Sequence, residues 1–254
     1  MAVMPAFLQF LGTLKGTILA DQYKPLYQDW YKNLKPKEKQ RFDRSEKKFF
    51  CFSKGAKNYD HKSEVLDEVY DALLKEQKLR VSYRSRAGEL VEDVLLPLSL
   101  VMFNTGLYLV YYYDSSEVDE LGERKAYTMK IETIEDADSL RTDGFAYPIG
   151  FDPSKLFDGS FGFIRGESGD RTEVVIDFDQ NSWVYSWLEE RTWSGDETYT
   201  LLKSGKVRMR MTVSDLREVL PWIFSLGDQV SVYKPASLKH QVREMALRIA
   251  DNNK

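Results

Sequence analysis

The sequence predicts an α+β protein built from two domains, a small antiparallel β-barrel and a βαββαβ domain. The length of 254 residues exceeds the usual size of a single domain. One amphipathic helix is followed by short strand-like runs separated by turn-forming residues, which is typical of a small barrel. Beyond residue 170, strand and helix patterns alternate. The predicted organisation is a helical and linker segment at 1–62, the barrel at 63–141, a linker rich in Gly, Pro, Asp and Ser at 142–170 and the second domain at 171–254.

The predicted barrel begins with a helix. Ser63 is a candidate N-cap, Glu64 suits the positive end of a helix, and apolar residues recur with the helical period as far as Leu74. Pro97 lies inside the second strand-like run and predicts that this run bends or breaks there. The runs themselves span residues 79–84, 90–103, 107–113 and 126–134.

The C-terminal part has the element order βαββαβ with one added helix, which is the ferredoxin-like arrangement. Ser204 and Gly205 predict a hairpin turn, Ser214 predicts the N-cap of the second helix, and Gly227 predicts its end. Pro221 falls inside that second helix and predicts a kink. The predicted strands are 173–178, 197–202, 206–213 and 229–233, and the predicted helices are 180–191, 215–226 and 237–250.

Charge is unevenly distributed along the chain. Residues 1–62, which include one or two predicted amphipathic helices at 5–34, carry 13 Lys and Arg against 6 Asp and Glu. The remainder carries 23 against 34. A basic N-terminal segment indicates a nucleic-acid or acidic partner, and a solvated helical surface rich in lysine explains it equally well.

Several classes of protein are excluded by composition. No apolar run approaches the roughly 20 residues of a membrane span, and the N-terminus does not have the pattern of a signal peptide. The single cysteine, Cys51, excludes an internal disulfide, so we expect a cytoplasmic protein without a membrane partner. His61 and His240 lie far from each other and from Cys51, and no pair of carboxylates stands out. We therefore expect no enzyme, no catalytic residue, no metal and no cofactor.

The most informative pattern is a set of cations beside tyrosines on predicted strands. Because alternate residues of a strand share a face, the tyrosines of GLYLVYYY divide between two faces. Arginines hold phosphate and aromatic rings stack on bases, so the pattern suits a negatively charged ligand with flat groups. A barrel with a solvated basic rim and half-buried tyrosines is the alternative. The residues concerned are Tyr108 and Tyr112, opposed to Leu107, Leu109, Tyr111 and Tyr113, with Arg84 and Arg86 at the end of the first strand and Arg124 and Lys130 on the polar face of RKAYTMKI.

The order of these features resembles the bacterial WYL-domain transcriptional regulators with a C-terminal extension domain. The matching segments are LRVSYRSRAGE, LLPLSLVMFNTGLYLVYYYD, ERKAYTMKIETIEDAD, YPIGFDPSKLFDGSFGFIRG and PWIFSLGDQVSVYKPASLKHQV. The Trp-Tyr-Leu that names the family falls on Leu107, Tyr108 and Leu109, and Lys130 stands where the family usually has arginine. The winged helix-turn-helix of these regulators has no counterpart here, which fits either a piece of a longer regulator or a natural member without that domain.

The resemblance implies an Sm-like, SH3-like barrel that senses a ligand, in some members single-stranded nucleic acid, and a homodimer. It implies that Tyr83, Tyr108, Arg124 and Lys130 bind a single-stranded nucleic acid or a nucleotide-like ligand. Contact with duplex DNA is expected only through a winged helix or weakly through the basic stretch 32–57. A platform for protein interaction and dimerisation is the second hypothesis, and a nuclease is the third. Two further cations, Arg208 and Arg210, share the outward face of KVRMRMTV and are candidates to add to the ligand site.

Overall fold

The computed structural model of the protein describes residues 28–40, 55, 57–85, 87–117, 124–166 and 171–254. These residues form a mixed α/β structure with two antiparallel sheets and few helices. They divide into two compact units between Phe151 and Asp152. Residues 28–32, at the end of the predicted N-terminal helices, are helical, and residues 5–27 lie outside the described residues. Residues 36–40 are also helical, although no helix was predicted there.

In the described residues from 57 onward, the first unit combines one α-helix with a five-stranded antiparallel sheet. The strand order is β4-β3-β2-β1-β5, so consecutive strands are neighbours and the last strand returns to the first. A 3-10 turn at Asp60–Lys62 leads into the helix, and another at Ile131–Thr133 joins β4 to β5. The elements are α1 (Ser63–Lys75), β1 (Gln77–Arg84), β2 (Leu90–Phe103), β3 (Gly106–Tyr113), β4 (Tyr127–Lys130) and β5 (Ile134–Gly144).

The core of this unit lies between the apolar face of α1 and one face of the sheet. Leu66 and Val69 of α1 are completely buried, and they join the buried Leu79, Leu109 and Ile134 of the strands in one cluster. The predicted cap is wrong by one residue, because Ser63 is already the first residue of α1 and follows the 3-10 turn directly. Where a bend was predicted, the pairing of β2 with β3 changes register between Pro97 and Ser99.

The described residues of the second unit form a four-stranded antiparallel sheet with the order β7-β8-β6-β9, three α-helices and two 3-10 helices. Every predicted strand and helix of this region is present, with ends that differ by a few residues. The apolar residues of its helices and of one sheet face form a second buried cluster. The elements are β6 (Thr172–Asp179), α2 (Trp183–Glu189), β7 (Thr198–Leu201), β8 (Lys206–Val213), α3 (Val219–Ser225), β9 (Val230–Lys234) and α4 (Ala236–Asn252).

The start of α3 differs from the prediction. Its N-cap is Glu218, so Ser214 does not cap it, and the Ser214 hydroxyl accepts a hydrogen bond from Gly166 N (3.3 Å) instead. Pro221 is consequently the third residue of the helix, where the missing N–H removes no helical hydrogen bond. The predicted reason for a kink is therefore wrong. Gly227 directly follows the C-cap residue of α3 and has a φ of +64°, as predicted for a glycine that ends a helix.

Candidate ligand-binding surface

Strand β3 presents its tyrosines to two different environments. Leu109 and Tyr111 are 0% and 3% exposed and belong to the core, as does Leu107. Tyr108 and Tyr112 are half-buried and lie on the opposite face of the strand, because alternate residues point to opposite sides. The predicted division of the rings is confirmed, and only the second set lies on the face away from the core.

A lysine lies directly across from one of these outward tyrosines. Tyr108 of β3 is paired with Lys130 of β4, and Val110 is paired with Thr128. Side chains directly opposite in an antiparallel pair share a face, with Cβ atoms about 5 Å apart. Lys130 is exposed and has no ion pair with another described residue. We call this set the Tyr108–Lys130 surface, and it consists of Tyr108, Tyr112, Thr128 and Lys130.

Arg124 is not fixed to this surface by strand pairing. It lies three residues before β4, and the pairing of β3 with β4 begins at Tyr127. The side chain is half-buried and makes no ion pair within the part of the chain that the structure describes. Arg124 is therefore near the start of β4, but its side chain has no established position beside Lys130.

Tyr83 lies on the other face of the sheet. It alternates with Leu79 and Val81, which are buried in the core. Its hydroxyl donates a hydrogen bond to Asp93 Oδ2 (2.8 Å), and burial, together with hydrogen bonds to Tyr113 and Asp93, raises its pKa. The structure therefore does not bring Tyr83 together with Tyr108. The predicted set of four ligand residues is split between two faces.

The two arginines predicted to bind a ligand at the end of β1 do not form a pair of open cations in the described residues. Arg84 points outward, and its Nε lies 2.6 Å from Glu135 Oε1 of β5. Its Nη1 donates to the carbonyl oxygen of Gly88 (3.2 Å). Arg86 lies outside the described residues. The positive charge of Arg84 is thus compensated by a neighbouring strand.

In the second unit, Arg208 and Arg210 share the outward face of β8, as predicted from the alternation of the strand. Arg208 is held by Asp177, with Nε–Oδ1 and Nη2–Oδ2 distances of 2.6 and 2.7 Å, and its guanidinium lies 3.8 Å from the ring centroid of Tyr233. These hydrogen bonds lower the pKa of Asp177. Arg210 is half-buried and makes no ion pair with another described residue. Arg208 is therefore committed to a structural contact, whereas Arg210 is not.

Three residues that the sequence did not indicate surround the start of β3. Lys57 Nζ forms an ion pair with Glu132, and the hydroxyl of Tyr59 donates to Glu132 Oε1 (3.0 Å) and accepts from Leu107 N (2.7 Å). Burial acts to raise the pKa of Glu132, but the hydrogen bonds from Lys57, the backbone and Tyr59 outweigh it and lower that pKa. Burial raises the pKa of Tyr59 to about 12. The sequence could not indicate this cluster, because Lys57 and Glu132 are far apart along the chain and come into contact only in the folded protein.

Within the described ranges, no helix is both long and apolar enough to cross a membrane. The same ranges contain no group of three His, Cys, Asp or Glu side chains arranged to hold a metal ion.

Comparison with known proteins identifies two domains. Residues 64–138 match the WYL domain and residues 170–250 match the WCX domain, and together these matches cover more than half of the chain. No curated protein sequence matches the chain.

Two solved structures are similar to parts of the chain. Proteasome accessory factor B/C (PafBC) of Arthrobacter aurescens is 18% identical, with a TM-score of 0.32 over 70% of this chain and 26% of that protein. The crystal structure of a CRISPR Cas-related protein is 16% identical, with a TM-score of 0.43 over 75% of this chain and 51% of that protein. The chain thus spans about a quarter and about half of the lengths of these two proteins.

Proposed function

Because the chain belongs to the WYL-domain proteins that carry a C-terminal WCX domain, we propose that it is the ligand-sensing module of a WYL-type transcriptional regulator. It binds single-stranded nucleic acid or a nucleotide-like anion on the Tyr108–Lys130 surface. It acts as a cytoplasmic homodimer and catalyses no reaction. We also propose that the first unit is an Sm-like barrel and that the second unit is a ferredoxin-like domain. The strand orders β4-β3-β2-β1-β5 and β7-β8-β6-β9 support these two assignments.

One observation carries the ligand proposal, namely the pairing of Tyr108 with Lys130 on the outward face of the sheet. An exposed ammonium group holds a phosphate as a point charge, and a tyrosine ring beside it offers a stacking platform for a base. Tyr112 lies four residues further along the same face of β3, at about 13 Å in an extended strand. Val110, which lies between the two rings on this face, is completely buried, so the open part of the surface is its Tyr108–Lys130 end. That end offers one ring and one cation to a nucleotide of a single strand.

The test is the salt dependence of binding to a fluorescein-labelled single-stranded oligodeoxynucleotide of about 12 nucleotides. Each phosphate contact to a single strand contributes about 0.7 to the slope of log K against log salt concentration. We expect Lys130→Ala to weaken binding and to reduce the slope by about 0.7. Arg84→Ala is the matched control, because it also removes one positive charge, but one already neutralised by Glu135.

Two outcomes would refute the ligand proposal. One is that the wild-type protein does not bind the oligonucleotide. The other is binding whose affinity does not change between about 50 and 200 mM salt, because phosphate contacts must release counterions.

The second candidate function is a platform for protein interaction and dimerisation without a ligand. The pairing of Arg84 with Glu135 and of Arg208 with Asp177 favours it, because both cations are neutralised within the chain. The double substitution of Arg124 and Lys130 to Ala separates the two candidates. Loss of oligonucleotide binding by a variant that still sediments as a dimer supports sensing. A dimer in which neither variant nor wild type responds to the oligonucleotide supports the platform.

A further inference from the structure

Lys57 and the ring of Tyr108 approach the same glycine. A Cβ atom at Gly106 would lie 3.1 Å from Tyr108 Cε2 and 3.2 Å from Lys57 Nζ. Gly106 and Tyr108 are alternate residues of β3, so such a Cβ atom would point to the outward face on which Tyr108 lies. Lys57 is therefore a second ammonium group next to Tyr108, in addition to Lys130. The absence of a side chain at Gly106 leaves the space in which this group sits.

The charge of Lys57 is held by Glu132. The two side chains form an ion pair while 38% and 28% exposed, so the lysine remains accessible from solvent. Glu132 Oε1 accepts hydrogen bonds from Lys57 Nζ and from the Tyr59 hydroxyl. Its Oε2 is buried and has no hydrogen-bond partner among the described residues. The carboxylate therefore has a hydrogen bond from Tyr59 that does not depend on Lys57. Lys57 has the longer and more exposed side chain of the pair, and it has no other hydrogen-bond partner among the described residues.

We propose that Lys57 is a further phosphate-binding residue of the Tyr108–Lys130 surface and that Glu132 competes with the ligand for it. This inference rests on the proposed function. A phosphate next to the ring of Tyr108 has two neighbouring cations, Lys57 and Lys130. Glu132 therefore lowers the affinity for any anion at this position, and it favours ligands with enough negative charge to displace it. The ligand class is a polyanion with flat groups rather than a single carboxylate.

The experiment measures oligonucleotide affinity and its salt slope for variants at both positions. Lys57→Met is expected to weaken binding about tenfold and to reduce the slope by about 0.7, because one phosphate contact is lost. Lys57→Arg is expected to keep the slope, since it keeps the charge. Glu132→Gln is expected to strengthen binding about threefold with an unchanged slope, because the same contacts form without a competitor. In a Lys57→Met background, Glu132→Gln is expected to strengthen binding less than it does in the wild type, because no competition for Lys57 remains and only direct repulsion of the phosphate is relieved.

Controls come from an equivalent pair on α1 of the same unit. Lys75 and Asp71 form an ion pair of 2.6 Å, and Lys75→Met and Asp71→Asn change the net charge by the same amounts as the test variants. They measure the effect of net charge alone. A thermal melt of each variant adds an independent readout, because we expect Glu132→Gln to be less stable than wild type yet to bind more tightly. A purely structural ion pair would lower stability without raising affinity.

The outcomes distinguish this inference from the proposed function. If wild type binds with a slope that depends on Lys130, but Lys57→Met and Glu132→Gln match their controls, the role of Lys57 is refuted and the function stands. If wild type does not bind the oligonucleotide, the proposed function fails, and this inference fails with it. If Glu132→Gln strengthens binding equally in the wild-type and Lys57→Met backgrounds, Glu132 acts only by repelling the ligand directly and the competition is refuted.

Discussion

The substitution Asp177→Asn tests whether Arg208 is a structural residue. Asp177 accepts two hydrogen bonds of 2.6 and 2.7 Å from the guanidinium, and the side chains of Asp177 and Arg208 are only 13% and 16% exposed. The neutral amide keeps the shape but loses the charge and one of the two acceptors. A hydrogen bond to a charged group contributes about 1.5–3 kcal/mol, so we expect a loss of about 2 kcal/mol in the free energy of unfolding. Urea denaturation measures it.

The same variant has a predicted dependence on pH. The hydrogen bonds from Arg208 hold the pKa of Asp177 below its ordinary value in the folded protein. Because the folded pKa is the lower one, the stabilisation is complete above the pKa of the unfolded chain, about 3.9, and is lost as the pH falls through the folded pKa. The difference between wild type and Asp177→Asn should therefore be constant above about pH 5 and should disappear in stronger acid.

A matched control lies on the same sheet. Lys234 Nζ is 2.9 Å from Glu173 Oε2, but these two side chains are 55% and 46% exposed. Exposed ion pairs contribute no more than about 1 kcal/mol, so Glu173→Gln should cost clearly less than Asp177→Asn. Equal and small losses for both variants would refute the reasoning. Arg208 would then be available to a ligand, and Arg208→Ala would be expected to change the salt slope of oligonucleotide binding.

Two further substitutions test the two faces of β3. Leu109 is completely buried, so Leu109→Ala should destabilise the protein by about 3 kcal/mol through lost packing and a cavity, as measured by urea denaturation. Tyr108 is half-buried on the outward face, and Tyr108→Ala should weaken oligonucleotide binding by about 1–3 kcal/mol in a fluorescence anisotropy titration. If instead Leu109→Ala is tolerated, or Tyr108→Ala leaves binding unchanged, the division of the strand into a core face and a ligand face is wrong.

Strong periodicity made some elements predictable from the sequence. In KVRMRMTV the apolar and polar residues alternate strictly, and β8 has the predicted bounds Lys206–Val213 with its apolar positions buried. The strand β5, Ile134–Gly144, was not predicted beyond its first residue. Its sequence IEDADSLRTDG is mostly polar, and only Ile134 and Ser139 are buried. It forms a strand because β1 offers it a free edge, with Val81 paired to Ala137 and Leu79 to Ser139. That information lies in the partner strand and not in β5 itself.

Candidate site residues were predictable by type but not by neighbourhood. The sequence indicated tyrosines and cations on strands, and Tyr108 and Lys130 do share a face. It could not show that Tyr83 lies on the opposite face, because the relative registers of β1 and β3 depend on the intervening strand. Lys57 was missed for a related reason. Its partner Glu132 follows β4, and the two meet only when β3 and β4 are paired and the segment before α1 lies against them.

The availability of a cation is decided by the composition of the strand beside it. The outward cations of β1 all meet acids from β5: Lys78 lies 3.3 Å from Asp143, Arg80 lies 3.2 Å from Asp138, and Arg84 lies 2.6 Å from Glu135. Strand β3, in contrast, contains no charged residue, and Lys130 of β4 lies directly opposite its Tyr108. The acid-rich strand β5 thus neutralises the basic strand next to it, whereas the charge-free strand β3 supplies no acid to pair with Lys130. This difference is the reason that we propose the β3–β4 side of the sheet, and not the β1–β5 side, as the place where an anion binds.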